Sequence, residues 1–502
     1  MTCIAASRRF VRVFALVIVV ASAVRGLPLA ASARDEGPRR PPNIILVLAD
    51  DVGYGDFACL GNPIIKTPSV DAFWSQSVRF TDFHVSPTCA PTRSAIMTGR
   101  HEFKNGVTHT IFEQERLTPK ATTIAQFLQS KGYSTGIFGK WHLGDEAAYR
   151  PDRRGFDETY IHGGGGIGQT YPGSCGDAPG NSNINPALLH NGVFEKTNGY
   201  CTDLFFKAAT SWIDARRRTD KPFFAYIPLN AAHDPHVVPL AYYRQYLGKV
   251  PDETAKFYGM IENIDSNFGA LLHKLDEWSI AENTLVVFMT DNGGTAGVKV
   301  YNAGMRGQKV TPYQGGTRVP SFWRLPSAFK GGVDCRALTA HIDIFPTFAA
   351  VAGANLNGEI ARQVEGRSLL PLLQDPASSW PRRVLFTHVG RWGRGQAEAW
   401  KYKRCSVRDE RWTLVNNAEL YDLATDPGES KNVIDLHPEV AAALRSEYDR
   451  WWESIKPCLV NEDAVGPRLN PFKELYWKQF GGGPDAALLK RMDPTQPAVE
   501  RR

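Results

Sequence analysis

Asn43-Ile44-Ile45-Leu46-Val47-Leu48-Ala49-Asp50-Asp51 is a short apolar run that ends in two adjacent carboxylates. A run of this length without polar alternation reads as a strand buried on both faces, as in a parallel sheet. Comparable runs recur at residues 133–138, 223–229, 284–289 and 319–325, and helix-like stretches lie between them, such as 122–131 and 254–278. Strands alternating with helices predict an α/β fold, a large and mainly parallel sheet sandwiched by helices. Polar residues follow several of these runs: Asp50 and Asp51 after the first, Lys140 and His142 after the second, His233 after the third, Asp291 and Asn292 after the fourth. Ligands of open α/β sheets bind beyond the carboxyl ends of the strands. Four segments far apart in the chain therefore converge on one rim.

The chain has 502 residues, 43% hydrophobic and 22% charged, enough for one large core and a satellite domain. Its first residues read as an export signal. Arg8, Arg9 and Arg12 precede a run at 13–24 that is apolar but for Ser22 and too short to span a membrane. Ala31-Ser32-Ala33 is a small-residue cleavage site, with Ala21-Ser22-Ala23 as a second candidate and an uncleaved anchor as the alternative. Residues 1–33 are thus expected to be a signal peptide handled by the export machinery, and 34–42 a leader. The protein is expected in the periplasm or secreted. Loss of Arg8, Arg9, Arg12 and Arg25 with the signal lowers the formal charge from +6 to +2. The basic balance belongs largely to the signal and gives no argument for a nucleic-acid partner.

Residues 43–375 form the expected catalytic domain, with 376–381 as a linker. Short strands at 383–389 and 412–415, a turn-ended segment at 418–427 and a helix at 438–455 predict an α+β subdomain over 376–484, followed by a tail at 485–502. Segment 163–199 is rich in Gly, Asn and Pro and reads as a loop at a pocket mouth. It contains Gly163-x-Gly165-x-x-Gly168, formally a dinucleotide fingerprint, but without the expected strand before it or helix after it. Of eight cysteines, Cys175 and Cys201 flank this loop and are the first candidates for a disulfide in an exported protein.

The chemistry starts from Asp50 and Asp51, whose adjacent charges need a cation or a proton between them. Asp291-Asn292-Gly293-Gly294 adds a carboxylate and an amide oxygen on a turn. All-oxygen ligation suits Ca²⁺ or Mg²⁺ rather than Zn²⁺; the plain alternative for each acid is a cap or loop carboxylate. Cys89-Ala90-Pro91-Thr92-Arg93-Ser94-Ala95-Ile96-Met97-Thr98-Gly99-Arg100 is a helix-compatible stretch closed by glycine. Its cysteine alone reads as a buried thiol at a helix start. Arg93 follows Cys89 by one helical turn, so both face one pocket. In Gly139-Lys140-Trp141-His142-Leu143-Gly144, Lys140 and His142 share a face if the segment is extended. Lys309 precedes Gly315-Gly316-Thr317-Arg318-Val319-Pro320.

The Cys89 segment, read with Leu48-x-Asp50-Asp51, Gly139-Lys140-Trp141-His142 and Thr290-Asp291-Asn292-Gly293, resembles the type I, formylglycine-dependent, arylsulfatase-like sulfatases of the alkaline phosphatase superfamily. The resemblance is strong over residues 42–375. It implies an alkaline-phosphatase-like sheet plus a small C-terminal domain with a short antiparallel sheet. It also implies that a formylglycine-generating or maturase enzyme oxidises Cys89 to formylglycine (3-oxoalanine). Ca²⁺, or less favourably Mg²⁺, would sit on Asp50, Asp51, Asp291, Asn292 and the modified Cys89. The implied reaction is hydrolysis of a sulfate monoester, on a sulfated carbohydrate, other glycan or aryl alcohol. One hydroxyl of the aldehyde hydrate attacks sulfur, helped by the metal and Arg93. His233 or Lys309 protonates the leaving alcohol, and His142 deprotonates the second hydroxyl to expel sulfate. Lys140 and Arg93 hold the hydrate. The family's H-x-P element maps onto His233, with His236 the competing choice. Alternatives are a phosphate or phosphonate ester hydrolase of the same superfamily, or a sulfated-ligand binder if Cys89 stays a thiol. Substrate-rim candidates are His162, Tyr171, His236, Arg391 and Trp392, the last two from Gly390-Arg391-Trp392-Gly393-Arg394. One departure from the family pattern is Gln314, where glutamate is usual before the paired glycines.

Overall fold

The computed structural model describes residues 40–171 and 175–491. The expected signal and residues 34–39 of the leader lie outside the described residues. The run that opens the chain is strand β1 (Asn43–Ala49), every residue of it buried. The other strands are β2 (Val78–Phe80), β3 (Phe83–His84), β4 (Ser134–Lys140), β5 (Glu158–His162), β6 (Ala187–His190), β7 (Val193–Lys196), β8 (Phe223–Pro228), β9 (Thr284–Thr290), β10 (Ser321–Arg324), β11 (Val333–Cys335), β12 (Thr339–Ala340), β13 (Leu385–His388), β14 (Cys405–Arg408), β15 (Trp412–Val415) and β16 (Glu419–Asp422).

Ten strands form one sheet in the order β11-β2-β10-β9-β1-β8-β4-β5-β6-β7. Its centre, β9-β1-β8-β4-β5, is wholly parallel. The side-chain period of two splits β1 between two apolar layers. Ile44, Leu46 and Leu48 pack with Ile96 and Phe345 on one face. Ile45, Val47 and Ala49 pack with Phe205, Phe257 and Phe268 on the other. Helices cover both faces, which is why the central strands carry no polar alternation.

Within segment 163–199, the stretch 187–196 is more ordered than composition predicts. Residues 187–196 form the β6–β7 hairpin, which extends the sheet edge antiparallel to β5. Its two-residue turn is Asn191-Gly192, both at positive φ (48° and 86°), the pairing that a type I′ turn requires. A strand, β5, does precede Gly163, contrary to the expectation, but among the described residues no helix follows directly. Cys175 and Cys201 are separate free thiols rather than a disulfide. Cys201 opens a helix in the apolar layer of one sheet face, while Cys175 turns toward the Thr110 carbonyl.

The C-terminal four-stranded sheet, β13-β14-β15-β16, is antiparallel. Its core packs Val407, Leu414 and Leu420 against the helix Pro438–Ile455, where Trp451 and Trp452 are buried as packing residues. In the expected tail, Ala486–Arg491 is helical, and residues 492–502 lie outside the described residues.

Candidate active site

Asp50, Lys140, His233 and Asp291 stand just beyond, or at, the ends of β1, β4, β8 and β9. The loops are tied together by backbone bonds: Asp50 N–H donates to the Ala231 carbonyl (2.9 Å), Ala232 N–H to that of Asp50 (2.7 Å), and Asp291 N–H to that of Ala49 (3.0 Å). Two glycines permit the close approaches. A Cβ on Gly139 would fall 1.9 Å from the Pro228 carbonyl oxygen, and one on Gly293 equally close to that of Gly315. The paired glycines at 315–316 thus let the Asp291-Asn292 turn seat against them.

Cys89 opens the helix Cys89–Thr98, all ten residues of which are buried. Pro91 lies in the first turn, where a missing N–H costs little. Gly99 ends the helix in the left-handed region and donates to the Ala95 carbonyl. The Cys89 Sγ lies 3.4 Å from Asp50 Oδ1 and 3.9 Å from Asp51 Oδ1. One turn on, Arg93 donates to Asp291 Oδ2 (2.8 Å), Asp50 Oδ2 (3.2 Å) and the Lys140 carbonyl (2.9 Å). Lys140 donates to Asp50, and Lys309 to both oxygens of Asp51 (2.5 and 2.7 Å). His233 Nε2 faces Asp51 Oδ2 at 3.8 Å. Asn292 donates to Asp51 Oδ1 (3.0 Å), while its own buried Oδ1 has no partner among the described residues.

These charges set each other's protonation. Burial opposes ionisation of Asp50, but Lys140 and Arg93 outweigh it and hold the carboxyl well below its ordinary range. Burial, with the Asp50 charge beside it, raises Asp291 to about 7. Lys309 is pulled upward by Asp51 despite its burial. Burial lowers both His233 and His142, the latter strongly and with help from Lys140 and Arg93. A cation among Asp50, Asp51, Asp291 and the unpartnered Asn292 oxygen fits this donor set.

Lys140 and His142 meet by a turn rather than by strand alternation, since His142 has φ 58°. Its Nε2 lies 2.8 Å from the Thr110 carbonyl, so Nε2 carries the proton and the buried Nδ1, which has no partner among the described residues, is the basic nitrogen. Glu115, fully buried, faces the same Nε2 at 3.4 Å. The sequence offers no signal for this residue: Glu113-Gln114-Glu115-Arg116 reads as a solvated polar turn.

The rim candidates separate. Arg391, also in the left-handed region, donates to Thr110 Oγ1 (2.9 Å) and lies within electrostatic reach of Cys89 and Asp51. Tyr171 is half-buried near Arg391. Trp392 is not a rim residue: it is 1% exposed, packs in the C-terminal core and donates to Glu462 (2.8 Å). His162 is not on the rim either. It is fully buried at the end of β5, with Nδ1 3.0 Å from the Gly163 carbonyl. His236 is tied to Glu253 (3.3 Å) and packs on Phe257, outside the Asp51 cluster that His233 joins. The glycine-rich turn spends its amides internally. Asp177 accepts from Gly163 (3.1 Å) and Gly168 (3.0 Å), and Asp145 from Gly164 (3.2 Å). Gln314 donates its amide to the Pro427 carbonyl (2.8 Å), a bond that an ionised glutamate could not make.

A family model described as Sulfatase matches residues 42–354, and one described as N-sulphoglucosamine sulphohydrolase, C-terminal, matches residues 308–451. Human arylsulfatase A is 31% identical, with 83% of this chain and 89% of that protein covered. Mouse arylsulfatase G is also 31% identical, covering 74% of this chain and 77% of that one. Among solved structures, Ps i-CgsB in complex with k-i-k-neocarrahexaose superposes with a TM-score of 0.74 at 27% identity, over 88% of this chain and 97% of the other.

Proposed function

Because the chain belongs to the sulfatase family and is a sulfuric ester hydrolase, we propose that it is exported and removes sulfate from a sulfated carbohydrate, using a formylglycine made from Cys89 and a calcium ion. The observation that carries this reading is the meeting of Cys89 with Asp50, Asp51, Asp291 and the unpartnered oxygen of Asn292. Calcium suits it better than magnesium, which keeps several waters, because these four side chains are all buried. Asp50, Asp51, Asp291 and Asn292 would hold the ion, which would withdraw charge from a sulfate oxygen. A formylglycine at position 89 would supply, as its hydrate, one hydroxyl for attack and a second for release of sulfate.

The chain's own side chains do the rest. Arg93 and Lys140 present fixed positive charge to the sulfate oxygens from a buried site, where such charge acts strongly. Lys309, held protonated by Asp51, donates the proton to the departing alcohol oxygen. His233 is held neutral by burial and orients beside it. His142 takes a proton at Nδ1, its Nε2–H anchored on Thr110. Arg391 reaches in beside them and pairs with a further anionic group of the substrate. The sulfated-carbohydrate reading is supported by Ps i-CgsB, whose structure holds k-i-k-neocarrahexaose. The export signal and the Cys89 motif support a maturase acting before the chain folds.

Mass spectrometry of the peptide spanning residue 89 tests the central step. The expected result is an aldehyde mass in the active preparation; a thiol there would sink the reading. Sulfated oligosaccharides supply the substrate screen, with chelation expected to remove activity and Ca²⁺ to restore it.

A further inference from the structure

A second set of metal-ligating groups lies behind His142. Among the described residues, Glu115, His142 and Cys175 each place one ligand atom within 4.8 Å of the others, and all three are buried. His142 Nε2 is 3.4 Å from Glu115 Oε2 and 2.8 Å from the Thr110 carbonyl oxygen, which is itself 3.9 Å from Cys175 Sγ. Tetrahedral Zn²⁺, with N and O ligands at ~2.0 Å and S at ~2.3 Å, holds its ligand atoms roughly 3.3–3.7 Å apart. Among the described residues neither Glu115 oxygen has an N–H or O–H partner, although both are buried. Asp145 lies near Glu115 and adds negative potential. A buried carboxylate of this kind calls for a proton or a cation.

The geometry points to a metal site distinct from the calcium-type cluster, formed by Glu115, His142, Cys175 and the Thr110 carbonyl, that takes Zn²⁺ or a similar borderline divalent ion. Thiolate, imidazole and carboxylate together select such an ion over Ca²⁺ or Mg²⁺. Binding releases the Cys175 thiol proton and the Glu115 carboxyl proton to solvent. The imidazole stays neutral, its proton moving from Nε2 to Nδ1 as the ion takes Nε2. That occupies the nitrogen on which His142 would accept a proton, so the ion acts as a brake on turnover. The site rests on geometry alone; the brake rests also on the reading of His142 as the base.

Two experiments separate these claims. The full-length Cys89→Ala protein, saturated with Ca²⁺, removes the thiol of the Asp50–Asp51 cluster. Titration with Co²⁺ is expected to give a thiolate-to-cobalt charge-transfer band at one equivalent, lost when Cys175→Ala is added. No band, or a band that survives loss of Cys175, overturns the site. In Zn²⁺-soaked crystals of the same protein, an anomalous peak among the three side chains is expected, and its absence also counts against the site. In matured enzyme, Zn²⁺ is expected to lower turnover by ~10²-fold, the usual worth of a general base. The ratio of rates with and without Zn²⁺ should approach one in Cys175→Ala. A cobalt band with no loss of turnover would leave the site standing and overturn the brake.

Discussion

Asp50 and Glu115 are both fully buried carboxylates, and they are driven in opposite directions. Asp50 touches Lys140 and Arg93 and stays ionised. Glu115 is pushed well above its ordinary range by burial and by Asp145 nearby. Equal burial thus produces opposite charge states, and the placement of cations decides between them. Asp50 is faced by fixed positive groups because β1 and β4 end there and the Cys89 helix begins there. Glu115 sits on a short turn whose nearest arginine, Arg116, pairs instead with Glu146.

The sharpest way to break this comparison is the same chemical change at both positions. Asp50→Asn takes the carboxylate from Lys140, takes one of two carboxylates from Arg93 and removes a metal ligand. It is expected to cost at least ~10³-fold in turnover and about 3–5 kcal/mol of stability, the usual result of breaking a buried pair. Glu115→Gln mimics the protonated acid and should change stability by less than about 1 kcal/mol. Urea unfolding of the two variants measures both. Equal losses would mean that Glu115 is ionised and that the contrast is false.

A smaller effect is read in the pH profile. His142 must be neutral to accept a proton, and its pKa is lowered well below 6.5 by burial and then by Lys140. The neutral form therefore persists as pH falls through 6.5. The acid limb of kcat is expected below that value rather than at it. Lys140→Met removes one of the lowering charges, so the limb in its residual activity should move upward. A limb at or above 6.5 in the unaltered enzyme would show that His142 is not the base, or that its surroundings are wet.

The parts of this molecule that were legible in its sequence are those where position follows from periodicity. The apolar run at β1 needed no partner to be recognised, because burial on both faces removes all polar residues. The carboxyl-end rule then placed Asp50, Lys140, His233 and Asp291 on one rim. The β6–β7 hairpin carried a signal that composition hid: Asn191-Gly192 between short apolar stretches, inside a segment rich in loop residues. Glu115 carried no signal, since burial of an acid depends on neighbours brought in from β4 and from the loop around Cys175. Cys175 and Cys201 suggested a crosslink by flanking one segment, yet the segment folds back with one thiol in the sheet's apolar layer and the other beside Glu115.

Arg391 and Trp392 show the same limit at a single peptide bond, and carry the smallest expected effect on turnover. Adjacent residues share a composition window, so nothing in Gly390-Arg391-Trp392-Gly393-Arg394 separates a ligand contact from a packing residue. The backbone does: with Arg391 in the left-handed region, its guanidinium turns to Thr110 and the pocket, while the Trp392 indole enters the C-terminal core. Arg391→Ala is expected to raise KM for a sulfated oligosaccharide by about 10-fold, one desolvated charge contact, and to spare kcat for a small aryl sulfate. Trp392→Ala should leave KM near its starting value and cost about 3–5 kcal/mol of stability through the cavity it opens and the Glu462 bond it removes. Steady-state kinetics on the two substrates, with thermal unfolding of both variants, reads the split. If Trp392→Ala raised KM at unchanged stability, the indole would belong to the rim after all, and the boundary between pocket and C-terminal core would have to be redrawn on its other side.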